Sequence, residues 1–394
     1  MTHWGAVLRA SPWILYPLVT ALRARQSRSL DDESLDAGSP ASTGGERIDA
    51  PLVSLVIPAR NEARNIARCL SSALAADYPR LEVVCVDDHS TDDTGVIAAG
   101  LAAHDPRLRV VTPPPLPGDW FGKQWACSTG AAASSGTIIG FLDADTWQTP
   151  DLVPRVVRAI ESRRADLLSV AGAQELGSFW ERIIQPQLFS ILLSRYGGTE
   201  SVSRSRFVSQ KIANGQCLFM TREAYVATGG HHAVRDKVAE DLALAQHVFA
   251  SGRRVALVLG VAQLHTRMYT SLRELVEGWG KNIYAGGRHA VPLGALGRAL
   301  FPLLLVLPAL FQLVPPIVLA HALTSGAATQ TIAWAAIATA ANLLWWLAVY
   351  ASLDLSLGYA LLHPLGAAVL LYISLRAIVR GRRVRWKGRD YQSA

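Results

Sequence analysis

This sequence predicts an α/β domain with a largely parallel sheet, followed by a membrane-embedded region. Three observations predict it. Between residues 51 and 290, short apolar runs alternate with stretches of helical periodicity, the pattern of strands joined by helical crossovers. Acidic pairs follow two of these runs and open a later helical stretch, where open α/β sheets bind ligands. From Arg298 to Arg376, Asp354 is the only formal charge, a composition suited to hydrocarbon rather than water.

In chain order, residues 4–22 are apolar but interrupted by Arg9, Pro12 and Pro17. Segment 1–28 therefore reads as a membrane anchor or an interfacial helix; no small-residue cleavage site marks it as a signal peptide. Arg23, Arg25 and Arg28 place the next segment on the cytoplasmic side. Residues 29–50, rich in Ser, Gly, Asp and Ala, read as a linker without core-forming residues. Run 52–57 predicts a strand stopped by Pro58, and 62–76 predicts a helix with Ile66, Leu70 and Leu74 on one face. A strand follows at 81–86, a helix at 92–103, strands at 108–111 and 137–142, and a helix at 123–133 between them. Helices of this length imply parallel pairing with right-handed crossovers.

Beyond the 51–290 domain, segments 299–323, 331–353 and 357–375 are each long enough to cross the ~30 Å of a bilayer core. The membrane region is set at 291–378 and a basic tail at 379–394. Three spans would carry that tail away from the catalytic domain, against the positive-inside rule. Pro302, Pro308, Pro315 and Pro316 allow the first segment to be broken or re-entrant, so an even number of crossings is expected. The predicted location is the inner (plasma) membrane, multi-pass, with the catalytic domain cytoplasmic.

Apolar residues make up 50% of the chain and charged residues 18%, a balance shifted toward membrane proteins. The formal charge of +7 is local. Removing Arg376, Arg380, Arg382, Arg383, Arg385, Lys387 and Arg389 leaves 31 basic against 31 acidic residues. That excludes a nucleic-acid partner and fits either a tail touching anionic lipid headgroups or one that only sets topology. Cys69, Cys85, Cys127 and Cys217 form no CxxC pattern; free thiols facing the cytosol are expected, with Cys69 and Cys85 in the core.

Three acidic sites could carry chemistry. Asp87-Asp88 follows the strand at 81–86 and can accept hydrogen bonds from a base or ribose, while Ser90, Thr91 or Asp92 can cap the next helix. Asp143-Ala144-Asp145 lies in a turn after a buried run, where two carboxylates can hold a divalent cation and a ribose together. Glu240-Asp241 opens a helical stretch. The dipole there suits acids in any case, and it keeps a carboxylate ionised, as a general base requires.

In order, Ile57-Pro58-Ala59-Arg60-Asn61-Glu62, Val86-Asp87-Asp88-His89-Ser90, Gly122-Lys123, Asp143-Ala144-Asp145 and Glu240-Asp241 resemble the family 2 inverting glycosyltransferases. The resemblance spans about 51–290. It implies a GT-A fold, the Rossmann-like domain of nucleotide-diphospho-sugar transferases. Within that family the chain resembles membrane-bound bacterial enzymes that glycosylate lipids, of hopene-associated, carotenoid and ceramide type; Trp386-Lys387-Gly388-Arg389-Asp390-Tyr391 adds to the likeness. The resemblance implies that Pro58, Arg60, Glu62, Asp87 and Asp88 line the nucleotide pocket and Lys123 offsets diphosphate charge. Asp143 would contact ribose or sugar, Asp145 would hold Mg²⁺ or Mn²⁺, and Asp241 would be the base. Glu240 and Trp279 would lie on the acceptor side. Trp279 stands where processive relatives carry the Trp of a Gln/Arg-x-x-Arg-Trp motif, but Gly278 replaces the arginine. That favours a single transfer, with Arg267 or Arg273 as a substitute cation. His265 could reach the metal or a phosphate, although a histidine ending a strand is more often structural.

Residues 178–196 read either as an interfacial helix feeding a lipid acceptor or as an ordinary packing helix. His231-His232 could touch the sugar or be plain turn residues. The function expected is metal-dependent transfer of one hexose from a nucleotide sugar to a lipid hydroxyl. Transfer to a polyprenyl phosphate is the near alternative. A transport or flippase unit with a degenerate nucleotide-binding domain is the alternative from a different class.

Overall fold

The computed structural model describes residues 4–32, 50–291, 294–381, 383–386 and 389–392. Most of the expected linker and part of the basic tail, Lys387 included, lie outside the described residues. The chain divides into two units. One comprises 1–26, 176–198 and 269–381, and the other 27–175, 199–268 and 382–394.

The chain opens with α1 (Trp4–Ala24) of the helical unit. In the sheet-bearing unit, β1 (Val53–Ala59), β2 (Leu81–Asp87), β3 (Leu108–Val111) and β4 (Ile138–Leu142) run parallel in the order β3-β2-β1-β4. Their near-continuous apolar composition follows from burial on both faces. Leu55, Ile57, Val83 and Cys85 join one core cluster, and the intervening Val56, Val84 and Val86 join the other. Burying each such side chain contributes about 1.5–3 kcal/mol. The crossovers are α2 (Ile66–Leu74), α3 (Thr94–Ala102) and α4 (Gly122–Ala133). Gly130 lets α4 lie close on the sheet, since a Cβ there would collide with Val56 and sit 2.8 Å from Val86 Cγ2.

Pro58 does not stop the strand as expected. β1 continues to Ala59, with Pro58 in register with Val86. β4 pairs with β1 only as far as Val56, so the N–H that proline lacks falls beyond the ladder on that side.

Beyond the four strands read from the sequence, the second half of the sheet is mixed. β5 (Thr146–Gln148), α5 (Leu152–Arg163) and β6 (Leu167–Gln174) are followed, after an excursion into the helical unit, by α7 (Thr199–Arg204) and β7 (Cys217–Thr221). Then come α8 (Arg222–Ala227), α9 (Glu240–Ala250) and β8 (Val255–Thr266). β7 is antiparallel to both β4 and β6, β8 is parallel to β6, and β5 is antiparallel to β8. The full order is β3-β2-β1-β4-β7-β6-β8-β5. Leu30, placed by composition in a linker, is fully buried in the first core cluster. Ser29 bridges Leu259 of β8, so Ser29 and Leu30 belong to the sheet-bearing unit. Near the end of the chain, Arg383–Trp386 and Arg389–Gln392 pair as an antiparallel ribbon.

The helical unit adds α6 (Phe179–Tyr196), α10 (Leu272–Ala290), α11 (Gly294–Ser325), α12 (Thr329–Ser352) and α13 (His363–Arg380). Ser178 and Glu181 cap α6 reciprocally. Ile183, Ile184 and Leu188 of α6 pack with Leu275 and Val276 of α10 and Leu370 and Ile373 of α13. The described residues hold four helices long and apolar enough to cross a membrane: Trp4–Ala24, Gly294–Ser325, Thr329–Ser352 and Leu357–Arg380.

The four prolines do not break α11, which runs unbroken through Pro302, Pro308, Pro315 and Pro316. The expected interruption of the first segment is therefore absent. Pro315 and Pro316 leave the carbonyls of Phe311 and Gln312 without their helical donors. Trp13 Nε1 of α1 donates to Phe311 O at 2.6 Å, and Asn342 Nδ2 of α12 donates to Gln312 O at 3.4 Å. Neighbouring helices thus supply what proline removes.

Candidate active site

The predicted residues at the carboxyl end of the parallel strands converge, with the start of α9 beside them. After β1 the chain turns sharply through Asn61, whose φ is 53°, opposite His89 with φ 54°. Cross-ties hold both turns. Arg60 Nη1 donates to Asp88 O and, at 3.1 Å, to His89 O. Asn61 N–H reaches Ser90 Oγ at 3.0 Å, Glu62 N–H reaches Thr94 Oγ1 at 2.8 Å, and Thr91 N–H reaches Asn61 Oδ1 at 2.8 Å.

Asp92 accepts from Ala63 N–H at 3.1 Å and from Thr94 N–H at 3.1 Å, a structural role. Asp87 Oδ1 accepts from Ser90 N–H at 3.1 Å, and its Oδ2 lies where a Cβ on Gly95 would come within 2.6 Å. Asp88 is buried beneath the loop, 2% exposed. This first acidic site is a preformed cradle.

The second site leaves β4. Asp143 O accepts from Thr146 N–H at 3.0 Å and from Thr146 Oγ1 at 2.7 Å, closing a tight turn around Asp145. Lys123, in the first turn of α4, places its Nζ 2.7 Å from Asp143 Oδ1 and 2.7 Å from Glu240 Oε1. Burial works against the ammonium, but the two carboxylates outweigh it and hold Lys123 well above the ordinary lysine range. Lys123 therefore ties the strand-end acids to the α9 acids.

Asp241 is held from two sides. Its Oδ2 accepts from Gly215 N–H at 2.9 Å and its Oδ1 from Leu242 N–H at 2.7 Å. The fit is close at Gly215, where a Cβ would stand 3.0 Å from Asp241 Oδ2. Burial and the neighbouring Glu240 push Asp241 up to about 6, against the pull of Lys123 and the two N–H groups. Desolvation is the largest influence on this carboxylate, and a group near 6 is still ionised at neutral pH.

Pro58, Lys123, Asp143, Glu240 and Asp241 share one small cavity. Cys127, Gly215 and His231 also line it. His231 is 4% exposed and pushed down to about 4 by burial, so it is neutral at physiological pH. Tyr225 Oη stands 3.1 Å from its Nδ1, and its ring lies edge-on to Phe141 at 4.5 Å. The turn reading of His231 missed this; Gly229 and Gly230, both at positive φ, were the available signal that the turn is tight enough to bury the next side chain.

Other predicted residues lie elsewhere. His265 pairs in register with Trp147 and stacks on it at 5.9 Å, with the Arg68 guanidinium 3.2 Å from the Trp147 ring. Arg267 follows β8. Arg273 is 87% exposed by its side chain and pairs with Glu277 at 3.3 Å, one turn along α10. Trp279 belongs to the helical unit, its ring 6.3 Å from Phe189 and 6.2 Å from Tyr269.

Among the described residues no three His, Cys, Asp or Glu side chains converge to hold a metal alone. A hard cation such as Mg²⁺ or Mn²⁺ typically takes one or two carboxylates and completes its shell with substrate phosphates and water. The Asp143–Asp145 turn fits that requirement.

Residues 54–227 match the family model described as glycosyl transferase family 2. A 4,4'-diaponeurosporenoate glycosyltransferase of Staphylococcus aureus (strain MRSA252) is 28% identical over 243 residues, 61% of this chain and 63% of that one. The chain thus spans somewhat less than two thirds of the length of the curated relatives it matches. The mannosyltransferase PcManGT from Pyrobaculum calidifontis, solved with GDP-Man and Mn²⁺, superposes with a TM-score of 0.52 at 20% identity. That superposition covers 96% of this chain and 98% of the other, a likeness of fold.

Proposed function

Because this chain carries a glycosyl transferase family 2 domain on a GT-A fold, we propose that it moves one hexose from a nucleotide sugar to a lipid hydroxyl. The observation carrying this reading is the convergence of Lys123, Asp143, Glu240 and Asp241 on one cavity at the strand ends.

In this reading the cradle of Pro58, Arg60, Glu62, Asp87 and Asp88 holds the nucleotide, and Asp143 contacts ribose or sugar. Asp145 holds Mg²⁺ or Mn²⁺, which when bound offsets charge on the departing nucleoside diphosphate. Lys123 keeps the acids around it from repelling one another and the diphosphate. Asp241 takes the acceptor proton as the acceptor oxygen attacks the anomeric carbon and the bond to diphosphate breaks on the opposite face. Its two backbone hydrogen bonds aim the carboxylate, and a pKa of about 6 makes it a stronger base than an ordinary aspartate while leaving it ionised at neutral pH. Glu240 and Trp279 serve the acceptor side. The four apolar helices support an inner-membrane location; Arg23, Arg25 and Arg28 support a cytoplasmic catalytic domain, and the basic tail would meet anionic lipids.

A second reading takes an already ionised acceptor, a polyprenyl phosphate or a lipid carboxylate. The name of the S. aureus relative, which describes a carboxylate acceptor, favours it. A transport unit has no comparable observation in its favour. The test is nucleoside diphosphate release by purified, detergent-solubilised protein across donors, with Mn²⁺ or Mg²⁺ and lipid extract. Asp145→Ala is expected to abolish release. Asp241→Asn is expected to lower transfer to alcohols about 10²–10⁴-fold. Undiminished transfer to an alcohol in Asp241→Asn would refute the base, and wild-type protein that glycosylates an ionised acceptor but no alcohol would favour the second reading.

A further inference from the structure

One tripeptide, Asn214-Gly215-Gln216, touches two acids of the site. Gly215 N–H donates to Asp241 Oδ2 at 2.9 Å, and Gln216 O accepts from Asp143 N–H at 3.1 Å. β7 pairs with β4 only from Cys217 onward and with β6 only from Leu218, so these three residues lie outside both ladders. Side chains hold them instead. Asn214 N–H donates to Oγ of the fully buried Ser169 on β6 at 2.7 Å, and that hydroxyl donates back to Asn214 O at 3.2 Å. Asn214 Nδ2 donates to Val170 O at 3.1 Å and to Gln216 Oε1 at 3.2 Å. Gln216 N–H donates to Asn214 Oδ1 at 3.4 Å, and Gln174 Nε2 of β6 donates to Gln216 Oε1 at 2.7 Å. Asn214 thus straps the segment to β6 where strand pairing has ended.

We propose, on the reading of Asp241 as the base, that Asn214 is a positioning residue: it fixes the Gly215 N–H that aims the Asp241 carboxylate. An asparagine suits the place because one amide both donates and accepts. It meets a strand carbonyl on one side and closes its own turn on the other. The charged and titratable groups facing Asp241 are Glu240 on its own helix, Lys123 on α4, Asp143 after β4 and His231 in the turn before α9. Cutting the strap leaves all four in place and loosens only the Gly215 donor. An N–H bonded to a carboxylate favours its ionised form, so loosening that bond raises Asp241 further. It also lets the carboxylate drift from the acceptor proton, which costs rate rather than donor binding. Asp143 keeps its own ties to Thr146 and Lys123.

The test uses the full chain in detergent micelles with a long-chain alcohol as acceptor and the nucleotide sugar that wild type turns over. The kcat, the donor KM, the acidic limb of the pH–rate profile and thermal unfolding are read for wild type, Asn214→Ala, Ser169→Ala and Asp241→Asn. Asn214→Ala removes the side-chain bonds and Ser169→Ala the bond to Asn214 N–H, so the strap is cut at two places and either folded variant gives the answer. Each is expected to lower kcat on the order of tenfold, to leave donor KM within about twofold and to raise the limb by about one pH unit. Ser54→Ala is the control. Its buried hydroxyl donates to Glu82 Oε1 at 2.5 Å and accepts from Gly136 N–H at 2.7 Å near the other end of β1, and its loss is expected to lower thermal stability with the limb unmoved. A limb that stays at the wild-type value in a folded Asn214→Ala or Ser169→Ala protein overturns the proposal, and Asp241→Asn that still fails to transfer leaves the base reading intact. Asp241→Asn that transfers to the alcohol as well as wild type overturns the base reading and the proposal with it.

Discussion

If Asp241 is the base, as proposed, its burial sets the pH dependence of the reaction. A carboxylate whose pKa stands near 6 rather than 3.8 is deprotonated above that value and loses its base form as the pH falls through it. The acidic limb of kcat/KM is therefore expected near pH 6. Glu240→Gln, which removes the neighbouring charge that raises Asp241, is expected to move that limb downward. A pH–rate profile of both proteins checks this; a limb at the ordinary carboxylate value, or one indifferent to Glu240, would remove Asp241 as base. The acids themselves were legible, because carboxylates placed after apolar runs stand out against hydrophobic packing. Their electrostatics were not. Lys123 meets Asp143 and Glu240 at 2.7 Å each, a clamp joining residues far apart in the chain that no local pattern encodes. His231 was hidden for the same reason: its burial depends on Phe141 and Tyr225 packing around it.

The elements that sequence periodicity identified best are those whose environment is uniform along their length. β1 to β4 are buried on both faces, so a short apolar run bounded by polar turns sufficed. β7 escaped because its antiparallel pairing depends on a chain excursion rather than on its own residues. The prolines of α11 misled for a related reason, since their cost is met by residues on other helices. That compensation is testable. Trp13→Phe leaves the Phe311 carbonyl without its donor and is expected to cost about 1–3 kcal/mol. In a Pro315→Leu background the restored backbone N–H can take that carbonyl, and the cost of Trp13→Phe should shrink. A double-mutant cycle on thermal unfolding in detergent measures the coupling; additive effects would show that the indole contributes no compensating bond.

For the whole molecule, four long apolar helices predict that the protein stays with membranes through high-salt and alkaline washes and leaves only with detergent. Release by salt alone would mean surface attachment. Composition made the apolar C-terminal region legible, whereas the membership of residues 176–198 was not, because α6 interrupts the catalytic sequence and packs with helices from a distant part of the chain. That interruption bears on synthesis. The ribosome releases α1 first, yet its partners Phe311 and Trp334 on α11 and α12 emerge some 300 residues later. α6 also emerges before α10 and α13. The eight-stranded sheet has all its strands once Thr266 is out, so during translation a finished sheet coexists with two apolar helices still awaiting their mates. In that interval the bilayer or a chaperone must shelter α1 and α6. A chain cut short after the sheet would leave them permanently in that condition, so the catalytic fold cannot be isolated cleanly by trimming one end.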